Sequence, residues 1–266
     1  MNEQKPDHPD HDRLGDEARP DGPGYPSDPG PEVPEPLFNA PPVVLWLAGA
    51  FLAVHLVIQF AGDQLANWLV LALAFIPVRL MEGGAALPGG EVARVTQFVS
   101  YGFVHGDWMH LAMNSFWMLA FGSVAARRLG AVNFLAFSAL AAVVAASFSL
   151  ALNWGQELVL VGASGAIAGQ MAIAVRLIFA HGGTLRTIMQ RDVSQAPPEP
   201  LIRLFSNRSA VIFLVIWLGI DVLTAGSGIL TEGRIAWEAH LGGFLTGLLA
   251  FPLFDRRGRQ HNWGGH

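Results

Sequence analysis

An all-α, polytopic membrane helix bundle is the fold class this sequence predicts, on three observations. Of its 266 residues, 52% are hydrophobic and only 14% are charged, where a soluble domain carries roughly a quarter charged residues. Mean hydropathy is +0.40. The apolar residues also gather into runs of the length a bilayer crossing needs, about 20 residues of helix.

Residues 1–42 stand apart, rich in Pro, Gly, Asp and Glu and nearly free of large apolar side chains. Such a segment buries too little surface to offset its ordering entropy and reads as a disordered, acidic cytoplasmic tail. Most of the net charge of -5 sits there, so the charge describes a tail and not a binding face. The basic start and apolar core of a signal peptide are missing.

The membrane domain is expected over 43–254, with spans at 43–61, 109–126, 133–152, 164–179, 209–224 and 236–254. The run 65–80 is apolar but short, and Pro77 interrupts it. Stretches of that length are often interfacial or re-entrant. Gly83, Gly84, Gly89 and Gly90 mark the loop that follows. Arginines orient the spans. Arg127 and Arg128, then Arg186, Arg191, Arg203 and Arg208, then Arg256, Arg257 and Arg259 all fall on one side if the spans alternate. The positive-inside rule makes that side cytoplasmic. Six spans with both termini inside follow, and 255–266 becomes a short basic cytoplasmic tail. A seven-span variant, with 65–80 crossing, also satisfies the charge rule and ranks second. The Pro-containing connection 181–208 reads as mobile and cytoplasmic, with a basic face near anionic lipid.

The chain has no cysteine, which excludes disulfides, a thiolate nucleophile and cysteine-based metal sites. Its polar residues in apolar company are few. Gly162-Ala163-Ser164-Gly165 opens the fourth span, and His240 lies in the sixth with Gly243 and Gly247 on the same face, at i, i+3 and i+7. Gly165 and Gly169 give the fourth span a matching stripe of small residues. Such stripes let membrane helices approach closely, and two of them would bring Ser164 Oγ within reach of a His240 ring nitrogen. A serine nucleophile and its base need that arrangement. The residues alone leave a second reading open, in which both stripes are packing seams and Ser164 bonds a backbone carbonyl.

His110 and Asn114 share one face of the second span, and with the Ser164 amide at a helix start they suit an oxyanion. His105, in a more polar stretch, is read as ordering the site, and His55 as packed in the first span. Asp221 is weighed as a third, orienting group and assigned instead to a cap or interface; Glu238 is placed on the face opposite His240. Zinc held by His105, His110 and His240 is set aside, because no H-E-x-x-H pattern occurs.

At these residues the sequence resembles the rhomboid family of intramembrane serine proteases. Gly162-Ala163-Ser164-Gly165, His110-x-x-x-Asn114 with His105 upstream, and His240-x-x-Gly243-x-x-x-Gly247 carry the likeness over about residues 43–254. The resemblance implies a nucleophile at Ser164 and a base at His240, forming a dyad with no acidic partner. An oxyanion hole would come from His110, Asn114 and the Ser164 amide. Gly243 and Gly247 would hold the last span close to the fourth. It implies transmembrane protein substrates entering from the lipid side, and a wet cavity open to the extracytoplasmic face. It also implies a first loop with interfacial helices. The expected setting is the lipid bilayer of a bacterial inner (cell) membrane, with no cofactor, metal or nucleic acid as partner. Two departures stand out. The Trp-Arg pair common in the family's first loop is absent, with Arg79 in a related place, and Ala168 replaces an aromatic that in several members stacks on the base. Two rivals remain: a catalytically dead relative that escorts membrane clients, and a small transporter, which lacks the usual internal repeat.

Overall fold

The computed structural model describes residues 40–180, 193–224 and 236–255. Every regular element among them is helical, joined by one isolated bridge between Phe75 and Leu160. The tail expected at 1–42 therefore lies outside the described residues up to Asn39, as do 256–266.

α1 (Pro42–Phe60) starts on a proline, whose fixed φ and missing N–H cost nothing in a first turn. Val44, Phe51 and His55 point inward, while Trp46, Val57 and Phe60 lie on the outside. A helix apolar on both faces calls for an apolar medium around it. α2 (Asp63–Leu73) has 11 residues, about 16 Å of helix, against roughly 30 Å of hydrocarbon to cross. The run 65–80 is therefore not one crossing helix. Pro77 supplies the reason: it holds Ile76 extended and opens a 3-10 turn at Pro77–Leu80. Arg79, fully buried, ties the turn down by donating to the carbonyls of Leu71 and, at 2.9 Å, Pro88.

α3 (Gly90–Ser100) follows where the glycines suggested only a loop. It buries just Ala93 and Gln97 and exposes Val92 and Val95, so its signal in the sequence is weak. α4 (Trp108–Trp117) and α5 (Ser123–Leu129) run on through a π-helical turn at Met118–Gly122, so that one rod, with a wide turn the sequence did not announce, contains the span expected at 109–126. The wide turn makes room for a neighbour: a Cβ on Gly122 would come within 2.6 Å of Gln170 Oε1. Gly130, at φ +76°, then turns the chain back into α6 (Ala131–Leu152). By length and composition, α1 and α6 can each cross a bilayer.

α7 (Ser164–Ile178) is the centre of the bundle, buried on every face except at Ser164 and Ala166. After the short α8 (Leu201–Ser206) come α9 (Arg208–Thr224) and α10 (Trp237–Phe254). α10 lies backbone-on-backbone against α7. A Cβ on Gly243 would run into the Gly165 carbonyl oxygen, and one on Gly247 into that of Gly169.

At the end of the bundle away from Ser164, Arg128 makes a buried ion pair with Asp255 at 2.8 Å and donates to the carbonyls of Ser194 and Ala196. Asp255 thus belongs to the bundle and not to the tail. Arg176 donates to the Glu199 carbonyl and, at 3.1 Å, to that of Leu248. Pro252 lies inside α10 four residues after Leu248 and has no N–H to offer that carbonyl. The guanidinium fills the gap and sits 5.2 Å over the Phe251 ring. Within the connection expected to be mobile, Ser194, Ala196 and Glu199 are held by these contacts; 181–192 fall outside the described residues.

Candidate active site

Ser164 is the first residue of α7, and the chain reaches it through a fixed turn. Phe75 and Leu160 exchange backbone hydrogen bonds at 3.0 and 2.9 Å, and the Gly162 amide donates to the Tyr101 carbonyl. Gly162 has φ +105°, a conformation that favours glycine, and a Cβ there would lie 2.5 Å from His110 Nε2. Gly165 is equally confined, its Cβ position 2.6 Å from that of Ala145. Being at a helix start, the Ser164 amide has no partner within α7.

His240 sits in the first turn of α10. Its Nε2 is 2.7 Å from Ser164 Oγ. The register of α7 on α10, set by the glycine pairs one turn away, makes that approach. Both residues are partly exposed among buried neighbours, so the pair can be reached from outside the bundle.

The other ring nitrogen gives a correction. His240 Nδ1 is 2.6 Å from Asp221 Oδ1, and Asp221 is buried. The resemblance implied no acidic group beside His240, and here one stands at its second ring nitrogen; Asp221 is not a cap but faces the neighbouring helix. The sequence did carry a signal: Ala210, Leu214, Trp217 and Asp221 recur at helical spacing along one face of the fifth span, so Asp221 had to face inward. Glu238 behaves as placed, turned toward α6, where its Oε1 accepts from Asn153 Nδ2 at 3.0 Å and from Ser149 Oγ at 3.3 Å.

His110 lies beside Gly162. Its Nδ1 accepts a long 3.5 Å hydrogen bond from the Gly106 amide, an arrangement that leaves the proton on Nε2, the nitrogen facing Gly162. Asp107 caps α4 by accepting from the His110 amide at 2.7 Å. Asn114, one turn on and buried, donates one N–H to the His110 carbonyl at 2.9 Å and keeps a second. His105 is buried between the rings of Phe51 and His110, each 5.2 Å away. Burial pushes its imidazole down to about 3, with the neighbouring His110 adding to the effect, so it is neutral at physiological pH. His55 is likewise buried and packs on Trp108. Among the described residues, no group of three or more His, Cys, Asp or Glu is arranged to hold a metal ion.

The Rhomboid domain matches residues 92–257 of this chain. The chain belongs to the rhomboid family. It is similar to a protein named Rhomboid protease GlpG from Serratia proteamaculans (strain 568), 26% identical over 225 residues that cover 84% of this chain and 66% of that protein. A protein of the same name from Yersinia pestis (strain Pestoides F) is 25% identical over 205 residues, covering 74% of this chain and 64% of the relative. This chain therefore spans just under two thirds of the length of the curated relatives it matches.

Within this rhomboid chain, Arg79 lacks a neighbouring tryptophan but still fastens the first loop through two carbonyls. Ala168 is buried in the helix core and offers no ring to the imidazole. The observed neighbours of the His240 ring nitrogens are Ser164 and Asp221.

Proposed function

We propose that this protein is an intramembrane serine endopeptidase that cleaves transmembrane segments of membrane proteins, with Ser164 as nucleophile and His240 as general base. The single observation that carries the reading is the 2.7 Å approach of Ser164 Oγ to His240 Nε2 at the mouth of a buried helix seam. Heavy-atom separations of about 2.6–3.2 Å are those across which a base takes a nucleophile's proton. The names of the relatives support the same reaction class.

The steps follow from the geometry. His240 Nε2 takes the hydroxyl proton as Ser164 Oγ bonds to the scissile carbonyl carbon, whose oxygen becomes an oxyanion. His110 Nε2–H, the second N–H of Asn114 and the Ser164 amide are the donors for that charge. The intermediate collapses, the carbon–nitrogen bond breaks, and the leaving amine takes the proton from His240. Water then gives a proton to His240 and attacks the acyl-enzyme; the Oγ–carbon bond breaks and Ser164 recovers its proton. His105, Gly162, Gly165, Gly243 and Gly247 hold these groups in place.

The protein we envisage is an integral, multi-pass protein of a bacterial inner membrane. Its six spans are α1, the α4–α5 rod, α6, α7, α9 and α10, with 1–42 and 255–266 on the cytoplasmic side. The buried junction of Arg128, Asp255 and Ser194 supports one side for the ends of α5 and α10 and the loop before α8. Outward apolar residues such as Leu249 and Leu253 of α10 support a lipid environment.

A fluorophosphonate probe tests the reaction class. It should label the protein in native membranes, Ser164→Ala should abolish labelling, and cleavage of a transmembrane reporter should survive EDTA. Labelling that persists in Ser164→Ala would remove the assignment.

A further inference from the structure

His240 has a carboxylate on the side away from Ser164, and the packing of α9 explains how it gets there. One face of α9 meets the bundle. Ala210 is fully buried, Phe213 lies between the rings of Phe121 at 6.1 Å and Phe179 at 6.2 Å, and Trp217 packs on Phe244 of α10 at 5.3 Å. The opposite face, with Ile212, Val215, Ile216, Ile220 and Leu223, is exposed. Four residues beyond Trp217 comes Asp221, and four residues before Phe244 comes His240. One turn along each helix of this antiparallel pair thus carries the aromatic contact into the Asp221–His240 contact.

We propose that Asp221 is a positioning residue for the base. This inference rests on the reading of Ser164 and His240 as nucleophile and base. A carboxylate 2.6 Å from Nδ1 accepts that nitrogen's proton as a hydrogen bond. It thereby fixes the tautomer whose Nε2 lone pair faces Ser164 Oγ. When Nε2 takes the hydroxyl proton, the imidazolium is stabilised by the same carboxylate, and the Nδ1 proton stays on the ring. Among the described residues, the other polar groups around His240 do not duplicate this. Ser164 from α7 lies at Nε2, His110 from α4 is within electrostatic range, and Glu238 on the same helix is engaged by Ser149 and Asn153 of α6. The acidic residue also sits on a different helix from either reacting group. The base is therefore oriented only when α9 is seated against α10.

The experiment compares Asp221→Asn and Asp221→Glu with the wild type in proteoliposomes, measuring kcat and KM separately for a transmembrane reporter. Asp221→Asn keeps the shape and loses the charge. Its kcat should fall roughly 10²- to 10⁴-fold, with KM within about twofold. Asp221→Glu restores a carboxylate and should recover an intermediate kcat. An unchanged kcat in Asp221→Asn overturns the inference, as does a lowered kcat that Asp221→Glu fails to raise or that comes with a matching rise in KM, which marks a merely structural residue. Fluorophosphonate labelling separates the two levels. If the wild type labels at Ser164 and Asp221→Asn behaves like it, only the positioning role falls; if the wild type does not label there, the reading of the base falls with it.

Discussion

Replacing Gly243 by alanine should part the two helices that carry Ser164 and His240. The added Cβ would overlap the Gly165 carbonyl oxygen, and the obstacle is backbone, with no flexible side chain to swing away. Ordinary contact begins near 3.4 Å, so α10 must back off α7 by roughly 1 Å or more, in an interior packed too densely to absorb the change elsewhere. Gly243 is one turn from His240 and Gly165 is next to Ser164, so the displacement falls on the reacting pair. Their separation of 2.7 Å would grow to about 3.7 Å, beyond useful proton transfer. A misplacement of that size costs on the order of 100-fold in rate, and overpacking costs about 1–3 kcal/mol of stability. The assay is the rate of fluorophosphonate labelling together with kcat for a transmembrane reporter, beside thermal unfolding in detergent. Gly49→Ala in α1, where an added Cβ meets nothing within 4 Å, is the control and should match the wild type. Wild-type labelling by Gly243→Ala would refute the reasoning. So would a lowered unfolding midpoint with an unaltered labelling rate, since it would mean that the seam does not govern the pair.

His110→Ala and Asn114→Ala should each lower kcat about 10- to 1,000-fold, as removal of an oxyanion donor does, while KM stays near the wild-type value in reporter assays. Asp255→Asn should destabilise the fold by about 3–5 kcal/mol, because it leaves the Arg128 guanidinium buried without its counter-charge. The double change Arg128→Met with Asp255→Leu should recover much of that loss in thermal unfolding, since it removes both charges.

The helices that cross the bundle were legible because hydrophobic runs of bilayer length have few other uses. The expected spans 133–152 and 236–254 differ from α6 and α10 by only one or two residues. The close packing of α7 on α10 was legible for a related reason: small residues at four-residue spacing on both helices left one close face each; the approach of Ser164 to His240 across that seam was one of two readings those stripes allowed. α3 escaped because it lies over the bundle with two residues buried, so tertiary contact imposes almost no pattern on it. Asp221 carries two opposed signals, a loop-like run soon after it that suits a cap and a periodicity that turns it inward, and the second prevails. Its spacing from Ala210 and Trp217 fixed its face, and an acidic side chain turned inward at the end of an apolar helix needs a partner. The mate of Pro252 was not legible at all. Which group fills a carbonyl left bare by a proline depends on the neighbouring helix, and Arg176 is 72 residues away from Leu248 in sequence.

The parts of the site differ in how firmly they are built, and the difference has a consequence for how the enzyme would work. Ser164 and His240 sit on helices locked through glycine contacts, with α6 packed over the same seam through Ala141 and Ala145. The far ends of α7 and α10 are tied again by Arg176. Their separation is therefore a property of the rigid part of the molecule, where placement to within about 0.5 Å can be held. α9 instead meets the bundle along one stripe of side chains and turns its other face outward, without the backbone contact that locks α7 to α10. On the function proposed above, a substrate segment entering from the lipid beside α9 would have to compete with that stripe, which among the described side-chain contacts includes Asp221 on His240. Chemistry that needs all three residues would then wait until α9 reseats, so that admission and attack would be separate events.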